Sequence, residues 1–452
     1  MHYFFILLLS LLTLGCSGGG GDDTPATQTT IPSPPPTQTI NVSLLQAKKS
    51  SSQIPLLVIQ VNFTNYSIRA SEAVWAQKLF GTSEGELNHY YLQTSQNIFS
   101  FTPANETDGT NNDGIIKVSL ATTHPDPANG FTGFDTDIAV PALGLANAFV
   151  DFSSYDTNNN GNIEIDELQI MFLVAGGEQA TGVRPGVWGH MSCINGQNFD
   201  AVSIMQCGSG SYTTFGERHF DINSGPDASI GIMAHELGHG AFYLPDLYDT
   251  DYSSDGIGAF GLMGAGSWGA TLAKIPGETP THMSAWSKYQ AGFLTESTVS
   301  ISSNNIAINE TGYPTYQALK IKTTNTNEYF LIENRSSTGY DAGLAVLDNA
   351  AFQGGLAIWH IDESQSNNSN ENSRLVDLEE ADGFFLSATH SSDNQGDQSN
   401  LFYANNPAAL YTGEFTPTST PANSNLNDST SSNISVSNIS VPSSIMHIDL
   451  EL

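Results

Sequence analysis

Three residues in one short stretch carry the types and spacing needed for hydrolytic chemistry. In His235-Glu236-Leu237-Gly238-His239 the two imidazoles stand at i and i+4, so on an α-helix they project from one face and converge on a single ion, the H-E-x-x-H arrangement. Glu236 lies beside them, where a carboxylate can take a proton from a water held by that ion. Zinc lowers the pKa of such a water from about 15.7 towards roughly 7, which supplies a nucleophile at neutral pH. This is the chemistry of peptide hydrolysis. The geometry requires a helix, and Ile230, Ile232, Met233, Ala234 and Leu237 make the stretch apolar enough to be buried; buried His and Glu then need a partner such as a metal. Gly225, Pro226 and Asp227 predict the helix start, and Pro245 bars any helical continuation.

A second constellation lies upstream. Asp156 to Glu167, DTNNNGNIEIDE, fits the calcium loop of an EF-hand without a gap. Asp156, Asn158 and Asn160 take positions one, three and five, Gly161 the sharp turn at six, Asn162 a carbonyl at seven, Glu164 position nine and Glu167 the bidentate twelfth. A helix over Ala142 to Phe149 precedes it and a strand from Glu167 to Val174 comes after, so the loop is expected to be isolated and to stabilise rather than to switch. Few carboxylates among its ligands point to a weak, extracellular-grade site.

The chain around these motifs has 452 residues, which suggests two packed units. Lys plus Arg number 13 against 46 Asp plus Glu, a formal charge of -33, which argues against binding nucleic acid or anionic lipid surfaces. Residues 1–16 begin with an apolar run, Tyr3 to Leu14, too short to span a bilayer but suited to a signal peptide. Thr13-Leu14-Gly15-Cys16 resembles a bacterial lipoprotein cleavage box, with Cys16 the lipidated residue, although Lys and Arg are missing from the n-region; an ordinary cleaved signal with release is the alternative. The Gly/Pro/Thr-rich tract 17–52 reads as a flexible tether. Cys193 and Cys207 remain, an even pair suited to a disulfide in an exported protein, with two buried thiols as the alternative.

From Ile54 the globular part begins. Pro55 to Phe63 reads as a buried strand, Ser71 to Phe80 as a helix with Trp75 and Leu79 on one face, Gly85 to Phe101 as helix then strand, and Ile115 to Leu120 as a strand after the Asp113-Gly114 turn. The pattern predicts an α/β or α+β architecture, with the sheet behind the active site. After Phe293 short alternating runs, such as Ala318 to Ile321, Tyr329 to Ile332 and Ile434 to Val441, read as antiparallel β structure. His360, Asp362 and Glu379 read as satisfied polar groups at strand ends rather than a metal site.

These residues together resemble the immune inhibitor A family of bacterial secreted zinc peptidases. The similarity runs over most of the chain: the calcium-like loop with Val174-Ala175-Gly176-Gly177-Glu178, Val187-Trp188-Gly189-His190, the H-E-x-x-H helix with Pro245-Asp246-Leu247-Tyr248-Asp249, Gly261-Leu262-Met263-Gly264, Tyr329 to Arg335 and Gly354 to Asp362. The resemblance implies an α+β fold, with a zincin-like catalytic domain of mixed sheet and active-site helix at 53–292 and a β-rich region at 293–452. It implies Asp246 as third zinc ligand, with Asp249 the runner-up, and Met263 as an apolar floor beneath the metal. The common family pattern places a Gly three and the Asp six residues after the second His, whereas here Phe242 stands at three and Asp246 at seven. The expected activity is that of a zinc metalloendopeptidase with structural calcium, acting as a monomer on protein or peptide substrates. The expected location is the bacterial outer membrane or cell surface through Cys16, or the medium after release. The rival class is a catalytically silent, calcium-stabilised surface binding module, against which the intact Glu236 argues.

Overall fold

The computed structural model describes residues 52–294, 297–345, 352–383, 386 and 395–452. The expected signal segment, the anchor at Cys16 and the tether up to residue 51 lie outside the described residues. Among the described residues no helix is long and apolar enough to cross a membrane.

The first half is built on a seven-stranded sheet. Strands β1 (Gln53–Asn62), β2 (Ser100–Pro103), β3 (Ile115–Ser119), β4 (Gln169–Glu178), β5 (Gly186–Val187), β6 (His190–Ser192) and β9 (Tyr212–Arg218) form it, while β7 (Asn198–Phe199) and β8 (Val202–Ser203) make a separate hairpin. The central path runs β2-β1-β4-β9-β6. Every pairing in it is parallel except the last, in which β6 runs antiparallel to β9 at the edge. Parallel strands covered on both faces read as continuous apolar runs, which is why PLLVIQVNF looked buried. Side chains alternate across such a sheet. Leu56 and Val58 of β1 join one core with Met171, Leu173 and Phe215, whereas Leu57, Ile59 and Val61 join a second with Phe172 and Val174 on the opposite face.

Helices cover these faces. On the first lie α1 (Glu72–Phe80), α2 (Leu87–Thr94) and, later in the chain, the H-E-x-x-H helix α4 (Ile230–Phe242); on the second lies α3 (Val140–Ala146). In α1 Trp75 and Leu79 are buried on one face, as expected from sequence, while Ser71 stands outside the helix as its cap, its hydroxyl accepting the Val74 N–H.

Beyond α5 (Ala285–Gln290) the described elements are strands and short 3-10 segments. These are β10 (Ser297–Val299), β11 (Ser303–Asn309), β12 (Leu319–Lys322), β13 (Glu328–Arg335), β14 (Gly355–Asp362), β15 (Val376–Leu378), β16 (Ser435–Ser437) and β17 (Ile445–Glu451). They form a sheet of order β10-β12-β13-β14-β15 and a smaller one of order β11-β17-β16. The antiparallel expectation fails at one pair, since β10 and β12 run parallel. The connection between them carries β11 into the other sheet, and the returning chain enters in the same direction. One cluster of buried side chains extends from Ile54 and Met233 through Met283 and Trp286 to Trp359 and Leu450, so the core does not break at residue 293.

Candidate metal centre

The motif sits on α4, where every residue but Phe242 is buried. The helix starts at Ser229, later than the predicted Gly225 to Asp227, because Asp227 instead pairs with Arg218 across an isolated bridge. Close packing dictates its glycines. A Cβ on Gly238 would come within 2.7 Å of the Met263 sulfur, which places Met263 directly under the His-bearing turn. At the other end Tyr243 adopts φ 53 and its N–H reaches the carbonyls of Gly238 and His239. This is a left-handed cap, usually given to Gly because a Cβ is strained there. The left-handed residue thus stands four positions after His239, and the chain leaves the helix there towards Asp246.

Nδ1 of His235 faces the Leu262 carbonyl at 2.9 Å, and Nδ1 of His239 faces the Leu244 carbonyl at 2.5 Å. A carbonyl only accepts, so each Nδ1 carries a proton and each Nε2 is left as a ligand atom. The two Nε2 atoms are 3.1 Å apart, and each lies 3.1 Å from Oδ1 of Asp246. Three lone pairs so placed repel unless a cation sits among them. The edge of a tetrahedron with bonds of about 2.0 Å is about 3.3 Å, so the His2-carboxylate set suits zinc in both size and type. A proton feels the same field. Burial disfavours a charged His239, but Asp246 more than reverses this and takes it up to about 9, while the two imidazoles overcome burial at Asp246 and hold its carboxyl well below the usual range.

Glu236 is 8% exposed. Burial raises its pKa, against the opposing pull of His235 and His239, and the Met191 backbone N–H on β6 donates to it. The edge strand and the carboxylate are thus neighbours.

Sequence reasoning missed two contributors. Glu178, at the end of β4, is fully buried and accepts the N–H groups of Ala180, Gly189 and Gly216 at 2.9–3.0 Å. Burial pushes it up to about 7 despite these bonds. It fixes the turn through Gly189 from which β6 departs. Tyr248 lays its ring nearly parallel to His235, 22° between planes and 6.2 Å between centroids. Burial, then Asp246 and Glu236, raise its phenol well above the ordinary value, so it stays a hydrogen-bond donor. Both residues fall within stretches that carried the family likeness, but nothing in their own spacing marked them.

Asp249, the runner-up ligand, is engaged elsewhere. Its carboxylate accepts the Asp251 and Ser254 N–H groups and the Ser253 and Ser254 hydroxyls. With Asp251 and Glu371 it forms a separate acidic group.

In the Asp156 loop, Gly161 takes φ +80. Asp156 accepts the Asn160 and Gly161 N–H groups. Glu167 folds back over the loop, taking the Thr157 N–H at 2.8 Å and the Glu164 N–H at 3.0 Å. Buried Ile163 donates its N–H to the Ser203 carbonyl of β8 at 2.8 Å, which ties the loop to that hairpin. Asn158 and Asn162 both lie in this turn, their side chains bonded to Glu164 and Asn160 respectively. Cys193 and Cys207 are joined as a disulfide with Cα atoms 5.0 Å apart. His360 lies between Glu328 and Glu379, at 3.0 and 3.3 Å, and their hydrogen bonds overcome burial to push it up to about 10. Asp362 is satisfied by Ser364, Ser373 and Asn427.

Residues 139–295 match the model of the immune inhibitor A peptidase M6 catalytic domain, and residues 323–374 that of the immune inhibitor A-like metallopeptidase VEG domain. Immune inhibitor A of Bacillus thuringiensis subsp. alesti is 35% identical over 151 residues, covering 31% of this chain and 21% of that protein. Pre-pro-metalloprotease PrtV of Vibrio cholerae serotype O1 is 32% identical over 164 residues, covering 33% of this chain and 16% of that protein. The chain thus spans about a fifth or less of the length of these curated relatives.

Proposed function

Because the chain belongs to the immune inhibitor A-like family of metallopeptidases, we propose that it is a zinc-dependent metalloendopeptidase of zincin type. In this reading His235, His239 and Asp246 hold the ion, and Glu236 is the general base. The observation that carries it is the convergence of three ligand atoms at 3.1 Å from one another, with both Nδ1 protons held by backbone carbonyls. Zinc held there would supply a Lewis acid and would bring the pKa of a water towards roughly 7. Glu236, buried beside the ligand set, would serve as the base that takes a proton from the attacking water and passes it to the departing amine. The Met191 N–H orients the carboxylate, and Tyr248 offers a neutral donor beside it. A disulfide between Cys193 and Cys207 suits an exported protein. Substrates are protein or peptide chains.

The test is metal analysis with casein digestion. One zinc per chain is expected, with cleavage lost to a chelator and restored by zinc. A zinc-loaded chain that leaves casein and a panel of unfolded proteins intact would favour the silent binding module instead.

The same reading makes the Asp156 to Glu167 loop a structural calcium site. It is supported by the residue types, by the left-handed Gly161 and by Glu167 closing the loop. An ion that binds only the folded chain stabilises it by RT ln(1 + [L]/Kd), about 2.7 kcal/mol at a hundredfold excess over Kd. Thermal melts should therefore shift upward with calcium in the wild type and much less in Glu167→Gln. Superimposable melts with and without calcium would reduce the loop to a turn.

A further inference from the structure

Taking His235, His239 and Asp246 as the ligand set, we infer that Asn368, in the loop before β15, is a positioning residue for it: the C-terminal region holds the Asp246 loop in register with the two histidines. Asn368 is fully buried. Its Oδ1 accepts the Val376 N–H at 3.1 Å, and its Nδ2 donates to the Val376 carbonyl at 2.8 Å. Those two bonds use one amide hydrogen and satisfy the loop's own strand. The second hydrogen leaves the C-terminal region altogether and reaches the Leu247 carbonyl at 2.8 Å.

Leu247 follows Asp246 and is the fixed point of the ligand loop. Its N–H donates to the Met263 carbonyl at 2.8 Å, and its own carbonyl also accepts the Ile257 N–H at 3.0 Å. With Asn368 as second donor, both lone pairs of that carbonyl are used. The neighbouring carbonyl of Leu262 fixes the His235 ring. Two peptide units at the methionine turn thus tie Asp246 to His235, and Asn368 ties both to the C-terminal region. Arg335 of β13 enters the same turn, donating through Nη1 to the Phe260 carbonyl.

Asp246 needs this support more than the histidines do. The helix sets the spacing of His235 and His239, but Asp246 stands on a loop, where equal 3.1 Å separations from two imidazoles persist only if the backbone beside it is held. Groups that orient metal ligands from behind typically change metal affinity about 10- to 100-fold when removed. Coupling is also reciprocal: if the Asn368 bond strengthens zinc binding, zinc binding must strengthen the Asn368 bond by the same factor.

Both directions can be measured on the full chain with zinc alone as the probe. Asn368→Asp keeps the size and the acceptor for Val376 but loses both donors. The dissociation constant for zinc, from competition with a chromogenic chelator, should rise about 10- to 100-fold, and should do so in chains whose metal-free circular dichroism spectrum is that of the wild type. In the wild type, loading zinc should slow amide hydrogen exchange in the peptide carrying Asn368 and Val376, a readout that stands even if the variant fails to fold. A folded Asn368→Asp with unchanged zinc affinity and only a lower melting temperature would make the bond merely structural and overturn the inference. So would exchange at 368–376 that ignores zinc. A wild-type chain that takes up no zinc overturns the ligand assignment itself, whereas zinc uptake indifferent to Asn368 overturns only its positioning role.

Discussion

Glu236→Gln is expected to keep the fold and the zinc and to lower kcat about 100-fold to 10,000-fold, the usual worth of a general base. The amide has the shape of the carboxylate, and its oxygen can still accept the Met191 N–H, so the helix and edge strand need not move. Glu236 is outside the triangle of His235, His239 and Asp246, so the metal should remain. What disappears is the capacity to take a proton from water. The expected pattern is a collapse of kcat with zinc content unchanged, which separates a missing base from a missing ion. A zinc-loaded variant that cleaves casein at the wild-type rate would remove Glu236 from the mechanism.

Asp341→Ala should cost about 3–5 kcal/mol of stability, the penalty for leaving half of a buried ion pair alone. Asp341 and Arg335 are wholly shielded from water. Nε and Nη2 of Arg335 both donate to the Asp341 carboxylate, which also accepts the Thr311 hydroxyl at 2.6 Å and the His282 N–H at 3.2 Å. Beside them Glu333 accepts the Ala285 N–H at 3.1 Å, the Trp359 indole N–H at 2.9 Å and the Tyr316 hydroxyl, and lies 3.5 Å from Lys288. Two basic and two acidic side chains therefore face one another in a buried core. Removing Asp341 leaves the Arg335 guanidinium buried without its carboxylate, the situation to which that range applies. Urea unfolding measures it. The double variant Arg335→Met, Asp341→Leu should regain most of the loss, since apolar replacements of a buried pair are often neutral or stabilising. A single variant as stable as the wild type would show that the cluster contributes nothing.

The sequence disclosed the parts of the molecule whose cause is local. Helix α4 arises from apolar residues around His235 and His239, and β1 from an unbroken apolar run, because period and propensity act within a few residues. The convergence of the two histidines was legible for the same reason. Asp246 and Asp249 could not be told apart, because their separation depends on the left-handed Tyr243 and on which backbone donors each acid meets. The carbonyls of Leu244 and Leu262, which fix the tautomers of both histidines, have no signature in any side-chain alphabet. Asn368 lies 121 residues from the carbonyl it holds. The parallel pairing of β10 with β12 escaped notice because strand direction is decided by connections between sheets.

The buried cluster that crosses residue 293 also bears on how the chain comes apart. Met283 and Trp286 on one side of that point and Phe330 and Trp359 on the other belong to the same packed interior, and a fragment ending there would expose aromatic surface that has no other cover. The two halves share that interior, so the expected result is a single thermal transition in which both open together. Cooperativity of this kind gives proteolytic nicks in surface loops little purchase, because a cut chain is still held by one interior until the whole of it opens.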